Sequence, residues 1–392
     1  MKRTIQLRLL VLFVLVLQIG CVKKQTEVQP GNVTQKADLV TETEARKIAQ
    51  NYNLSGAKIA SITTAKVNGL AAVYLVNFER NQGYVLVSAE HKMSPVLAFN
   101  DKGSFTLEDT KAPGVSDWFQ QSKQAIAQLR ENGKPADAQI KARWECAVSL
   151  KRNARTTGFE YVPALTYSKW GQGCYYNAQT PVKENLPCER AYTGCVATAV
   201  GQVLRYYYGN IWREGYEEAK NTSMGRRYDW TKMKDKLTEN ESDGIKGIAK
   251  LMKDIGEDVN MYYTDNGSFS SARFYAYPRF HDTYGFDANT LRFMNYSADP
   301  AEVSKKLTEE LDQKQLSVLV GYNDEGAGHV WVCDGYYKYD NSELFLHMNW
   351  GWDGRPDDTN GTNGWYLYNS FKPSGRTFNN RVGVITGFRV KP

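Results

Sequence analysis

The sequence predicts an α+β protein in two units, and three observations carry that prediction. Its 392 residues exceed the usual span of one domain. The first half alternates helical and β-rich patterns, and the second half runs from helix into a series of short strands. A weakly patterned stretch ending in a basic, glycine-closed segment, Lys151-Arg-Asn-Ala-Arg-Thr-Thr-Gly158, separates the two. Hydrophobic residues at 42%, with 25 tyrosines and 9 tryptophans, supply enough apolar surface for a core in each unit.

The elements follow in order. In Thr41 to Asn51 the apolar positions Ala45, Ile48 and Ala49 fall at i, i+3 and i+4 behind a capping threonine, Thr41 or Thr43, which predicts an amphipathic helix. Ala72–Glu79 and Gly83–Glu90 are β-rich and flank Arg80-Asn-Gln, a hairpin pattern, and Pro95–Phe99 adds a third strand. Val115 to Arg130 places Trp118, Phe119, Ala125, Ile126 and Leu129 on one helical stripe. These elements make a small α+β unit over residues 38–150, with 151–158 as connector and processing site.

The second unit, 159–392, begins with irregular chain, then a small-residue helix opening at Gly194-Cys195, then a helix over Gly244–Ile255. Strands follow at Leu316–Tyr322, His329–Gly335, Leu344–Trp350, Gly364–Tyr368 and Val382–Phe388. A cysteine in the first turn of a helix faces unpaired N–H groups and the positive end of the helix dipole, which favour a thiolate. His329, after Gly326-Ala-Gly328, can take the thiol proton. Asn349 can hold the imidazole and fix its tautomer, Trp350 can shield that bond, and Gln172 offers an amide to an oxyanion. His347 alternates in phase with Asn349 and is expected on the same face of its strand.

Charge and cysteines bound the partners. The net charge of +6 lacks a long basic run, which argues against nucleic-acid binding. Lys2, Arg3 and Arg8 precede an apolar run, Leu9–Ile19, too short for a comfortable membrane span, so residues 1–20 read as an export signal. The run ends in Gly20-Cys21, which resembles a bacterial lipobox and implies a lipid anchor at Cys21, with residues 21–37 as a polar tether. Without Cys21 five cysteines remain, an odd number, and Cys174 with Cys188 is one candidate pair among several. No CxxC or HxxxH spacing occurs, so neither a zinc site nor any other cofactor is expected. The Asp- and Asn-rich loop Asp353–Gly364 reads as solvated turn rather than calcium site.

Taken together, Thr193-Gly-Cys195-Val-Ala-Thr-Ala, Gly328-His329 with Asp334-Gly335, and Asn349-Trp350-Gly351-Trp352, in that order, resemble the streptopain family of papain-like cysteine peptidases. The 134 residues from Cys195 to His329 fit the roughly 130–150 of papain-type enzymes. Gly83-Tyr-Val-Leu-Val-Ser-Ala and the Trp118 helix resemble that family's inhibitory pro-domain. The resemblance implies an exported zymogen, inhibited by its own pro-domain, that matures into an endopeptidase acting on protein or peptide substrates. By position it implies Cys195 as nucleophile, His329 as general base, Gln172 as oxyanion donor, Asn349-Trp350 as orienting segment, and Ser268 and Gly328 as substrate contacts. Cys174 departs from the family pattern and, with Cys188, suggests a disulfide or a redox-sensitive site. Two other readings use the same residues: a Cys-His acyltransferase or transglutaminase, and a catalytically idle surface-binding protein on a peptidase scaffold.

Overall fold

The computed structural model describes residues 38–53, 55–107, 115–149, 159–209, 228–237, 242–295, 298–322, 328–339, 344–352, 363–368 and 383–391. The export signal with Cys21, the connector 151–158 and most of the Asp353–Gly364 loop lie outside them. Among the described residues no helix is long and apolar enough to cross a membrane.

The N-terminal unit opens with helix α1 (Glu42–Tyr52), capped by Thr41, whose hydroxyl oxygen accepts the Glu44 N–H at 3.2 Å. Strands β1 (Ile59–Val67), β2 (Leu70–Phe78), β3 (Tyr84–Ser88) and β4 (Val96–Asn100) follow as an antiparallel meander, then helices α2 (Val115–Glu131) and α3 (Ala138–Ser149). Two of these elements escape the sequence pattern. In β1 only Ala65 is buried, so it lacks a clean alternation, and α3 buries only Trp144 and Ala147 along its length. Both depend on tertiary packing more than on their own periodicity.

The C-terminal unit contributes β5 (Phe159–Val162), α4 (Cys195–Leu204), α5 (Ser242–Asp258), the hairpin β6 (Tyr262–Thr264) and β7 (Gly267–Phe269), α6 (Tyr277–Asp282), β8 (Arg292–Met294), α7 (Pro300–Asp312), β9 (Ser317–Tyr322), β10 (Gly328–Tyr339), β11 (Leu344–Asn349), β12 (Gly364–Leu367) and β13 (Gly383–Thr386). The stretch expected as irregular chain thus starts with a strand, β5, which pairs with β10.

The two units share one sheet. Strand β12 pairs with β11 on one side and with β4 on the other, through Trp365↔Phe99 and Tyr366↔Ala98, so among the described residues ten strands run without a break across the expected boundary, and β5 joins the same sheet by pairing with β10. Side chains alternate between its faces. Val330 and Val332 of β10 join α4 and α5 in one core, and Phe345, Trp365 and Leu367 join α1 and α3 in another. Trp331, Leu346, Met348 and Tyr366 turn to the opposite face and meet α2 and α7. Each large apolar side chain so buried stabilises the joint by roughly 1.5–3 kcal/mol. The last strand of the N-terminal unit is thus built into the sheet of its neighbour.

Candidate active site

Cys195 is the first residue of α4, and the residue before it has no side chain with which to cap the helix. The orphan N–H groups of the first turn are therefore free to meet the sulfur. The N–H groups of Val330, the neighbour of His329, and of Val196 and Cys195 all favour the charged form of the sulfur. Among the described residues β10 pairs with β11 only from Val332 onward, so this stretch has no strand partner on that side. The start of β10, held by β9 through His329↔Gly321 and Val330↔Val320, keeps its other edge open toward α4.

Gly194 adopts φ 86°, ψ 142°, a conformation strained for any L residue. A Cβ there would lie 2.7 Å from Met261 Sδ and 3.1 Å from the Ser268 carbonyl. Its own carbonyl accepts the N–H and the hydroxyl of Thr198 at 3.1 and 3.2 Å. Ser268, on β7, donates its hydroxyl to the Tyr192 carbonyl at 2.6 Å and so braces the chain that leads into the cysteine. Gly328 is exposed at the head of β10, where a Cβ would sit 2.9 Å from the Tyr322 ring.

The His329 ring is buried and lies nearly parallel to the indoles of Trp331 and Trp352, with centroids 5.9 and 5.8 Å away. Its Nε2–H donates to the Trp350 carbonyl at 2.9 Å, which leaves Nδ1 as the basic nitrogen of the neutral ring. The sequence expectation needs correction here. Asn349 does not hold the imidazole: its Nδ2 donates to Thr166 Oγ1 (3.2 Å) and the Ser168 carbonyl (2.8 Å), and its Oδ1 accepts the Gly351 N–H. The amide is spent on the segment that follows β5, and the next peptide along orients the histidine.

Trp350 is held from its other side as well. The Trp350 N–H donates to Asn363 Oδ1 at 2.9 Å, and the Asn363 carbonyl accepts Asn100 Nδ2, from the end of β4, also at 2.9 Å. A continuous line of contacts thus joins the N-terminal unit to the His329 ring. Nothing in the spacing of Asn363 signals this, because its role depends on β12 meeting β4.

His347 belongs to a separate buried network. Its Nδ1 meets Asp334 Oδ1 at 2.6 Å, and Asp334 Oδ2 accepts the N–H and hydroxyl of Thr166 at 2.9 and 2.5 Å. Thr166 is also the partner of Asn349, so the expected shared face is real, but it serves to anchor the start of the C-terminal unit. Gln172 is buried; its carbonyl accepts the Thr193 N–H at 3.0 Å and its Nε2 has no hydrogen-bond partner among the described residues. An unpaired buried amide costs about 1–3 kcal/mol, and such groups in native proteins call for a functional explanation.

Burial dominates the electrostatics. It pushes the Cys195 thiol up to about 11 despite three N–H donors, and pushes the His329 imidazole down to about 4 against the Trp350 carbonyl. The helix N-terminus alone favours a thiolate; burial works against the charged form of both groups. A stability effect follows. Between the ordinary imidazole value of 6.5 and about 4 the unfolded chain binds the proton that folded His329 refuses, so stability falls as pH falls through that window. Full-length protein is expected to lose up to about 3 kcal/mol from this group. Urea unfolding at pH 7 and pH 4 should show a smaller loss in His329→Gln; an equal loss would refute the assignment.

The chain matches the Peptidase C10 family model over residues 170–361 and the Spi protease inhibitor model over residues 37–126. It is a C10-family cysteine peptidase made with an inhibitory pro-domain. Streptopain of Streptococcus pyogenes serotype M1 is 26% identical over 344 residues, 81% of this chain and 79% of streptopain. The thiol protease/hemagglutinin PrtT of Porphyromonas gingivalis is 26% identical over 345 residues. There the match covers 81% of this chain but only 38% of PrtT. The fold is similar to that of a Prevotella intermedia prointerpain A fragment, with TM-score 0.58 and 20% identity over 85% of this chain and all of that one. As a C10 zymogen, the chain is a cysteine endopeptidase of papain-like α+β fold whose pro-domain is its intramolecular inhibitor.

Proposed function

We propose that Cys195 and His329 carry the hydrolysis, and that the chain reaches its place of work as an exported lipoprotein. The carrying observation is that Cys195, at the start of α4, packs in the core that holds Val330, the neighbour of His329 on β10, whose own Nε2–H is already committed to the Trp350 carbonyl. His329 Nδ1 takes the thiol proton, and the thiolate attacks the carbonyl carbon of a peptide bond. The tetrahedral oxyanion receives the Cys195 N–H and the unpaired Gln172 amide. His329 then gives its proton to the leaving amine, a thioester remains on Cys195, and water activated by His329 hydrolyses it. Ser268 and Gly328 flank the nucleophile and the base, and substrate backbone passes between them. The orienting role falls to the Trp350 carbonyl, with Asn349 bracing that peptide.

The basic n-region, the short apolar run and Gly20-Cys21 support export with acylation at Cys21, and Lys151–Gly158 is the segment whose composition best suits cleavage. Mass spectrometry of the two N-termini tests both. The membrane-associated precursor is expected to begin at an acylated Cys21, and the mature enzyme within residues 151–158. An unmodified first residue other than Cys21 would refute the anchor, and a mature terminus inside α3 or β5 would refute the connector.

A further inference from the structure

Cys174 and Cys188 form a disulfide across a sequence separation of 14 residues. Cys174 stands two residues beyond Gln172. From Cys188 the chain runs on to Thr193, whose N–H donates to the Gln172 carbonyl at 3.0 Å, and then directly into Gly194 and Cys195. The cross-link and that hydrogen bond therefore close a ring containing the Gln172 backbone on one side and the approach to Cys195 on the other.

The backbone around the cross-link is held against its own preference. Tyr175, Cys188 and Glu189 have φ of 75°, 57° and 55°. Non-glycine residues in this region cost on the order of 1–3 kcal/mol each and persist only where surrounding structure imposes them. Hydrogen bonds supply part of the restraint: Asn177 Nδ2 reaches the carbonyls of Pro187 (3.4 Å) and Arg190 (3.2 Å), and Thr180 Oγ1 reaches that of Ala191 (2.6 Å). The disulfide supplies the covalent part. Cys188 is exposed and Cys174 half-buried, so a small reductant can reach the bond.

We infer that the Cys174–Cys188 disulfide is a positioning element for catalysis. It holds the Gln172 loop against the Thr193–Cys195 segment so that the side-chain amide meets the oxyanion. The inference rests on the reading of Gln172 as oxyanion donor. It has an unusual chemical consequence, because full activity then requires two opposite redox states in one molecule, a thiol at Cys195 and a disulfide at Cys174–Cys188. A dithiol such as dithiothreitol delivers two electrons and two protons to the disulfide. The S–S bond becomes two protein thiols, and the reagent leaves as a cyclic disulfide. The same reagent returns any mixed disulfide at Cys195 to the thiol.

The test measures kcat and KM of the mature enzyme on a peptide substrate over a wide range of dithiothreitol, with iodoacetamide labelling and mass spectrometry to read Cys174 and Cys188. Activity should rise as Cys195 is freed, then fall as the disulfide opens. Because Asn177 and Thr180 still tie the loop, the expected fall in kcat is about 5–50-fold, less than the roughly 10²–10³ expected when an oxyanion donor is removed outright. KM should stay within about twofold, since the lost contact is made chiefly in the transition state. The double variant Cys174→Ala/Cys188→Ala should start at the lower kcat and show no fall at high reductant. Reduction acts on protein already folded, so that arm stands even if the double variant folds poorly. Full kcat in enzyme whose Cys174 and Cys188 are both shown to be free thiols, by labelling a quenched aliquot taken after the assay, would overturn the inference. Gln172→Ala separates it from its foundation. An unchanged kcat there would remove the oxyanion reading itself, whereas a loss there with none on reduction would remove the disulfide's role alone.

Discussion

Cys195→Ala is expected to lower peptide hydrolysis by about 10⁶-fold, the scale on which removal of a hydrolase nucleophile registers when the rest of the site remains. Val196 and Val330 keep their N–H groups and Gln172 keeps its amide, but none of them can form the thioester. The precursor should then stay at full length, visible as an unprocessed band on a gel. A catalytic amount of parent enzyme should convert it, because the connector is intact. Conversion of the purified variant by itself at the parent rate would show that neither maturation nor hydrolysis passes through this sulfur.

The second large effect is expected from a residue with no functional group. Gly194→Ala adds one methyl where φ is 86° and where the nearest atoms are Met261 Sδ at 2.7 Å and the Ser268 carbonyl at 3.1 Å. The backbone conformation alone disfavours the new residue by about 1–3 kcal/mol. Met261 has a flexible end and can yield; the Ser268 carbonyl belongs to β7 and cannot move without the hairpin. Relief comes most easily by rotating the Gly194–Cys195 peptide, which turns the Cys195 N–H and the sulfur away from Val330. We expect kcat to fall by about 10²-fold or more, since a misplacement near 1 Å at a reacting group costs that much. Thermal unfolding should show a modest loss of stability, and a crystal structure should show the displaced peptide. A variant with parental kcat would mean that the left-handed turn before α4 does not position the nucleophile.

The pro-domain's hold on the enzyme has a clear physical form. β4 lends backbone pairing to β12, and Asn100 at its end is bonded to Asn363, which accepts the N–H of Trp350, the residue whose carbonyl orients His329. The pro-domain and His329 are thus joined by three successive hydrogen-bonded steps rather than by proximity alone.

The chain's order of motifs determined a great deal by itself. A glycine before a cysteine at the start of a small-residue helix, and a glycine before a histidine at the start of a strand, are local signals, because a positive φ or an open strand edge must be encoded where it occurs. The strongly periodic elements, α1, α2 and the core strands β2, β3, β10 and β11, were legible for the same reason: each buries a stripe or face that its own residues define. What the tertiary structure alone decided was partnership. Asn349 and Trp350 are adjacent, and only the fold turns the Asn349 amide to Thr166 and the Trp350 carbonyl to His329. Asn363 and Asn100 lie 263 residues apart and meet because β12 found β4 as its neighbour. The push of Cys195 and His329 toward their uncharged forms is likewise a property of the packed core, since desolvation is set by everything that surrounds a group and a sequence names only what precedes and follows it.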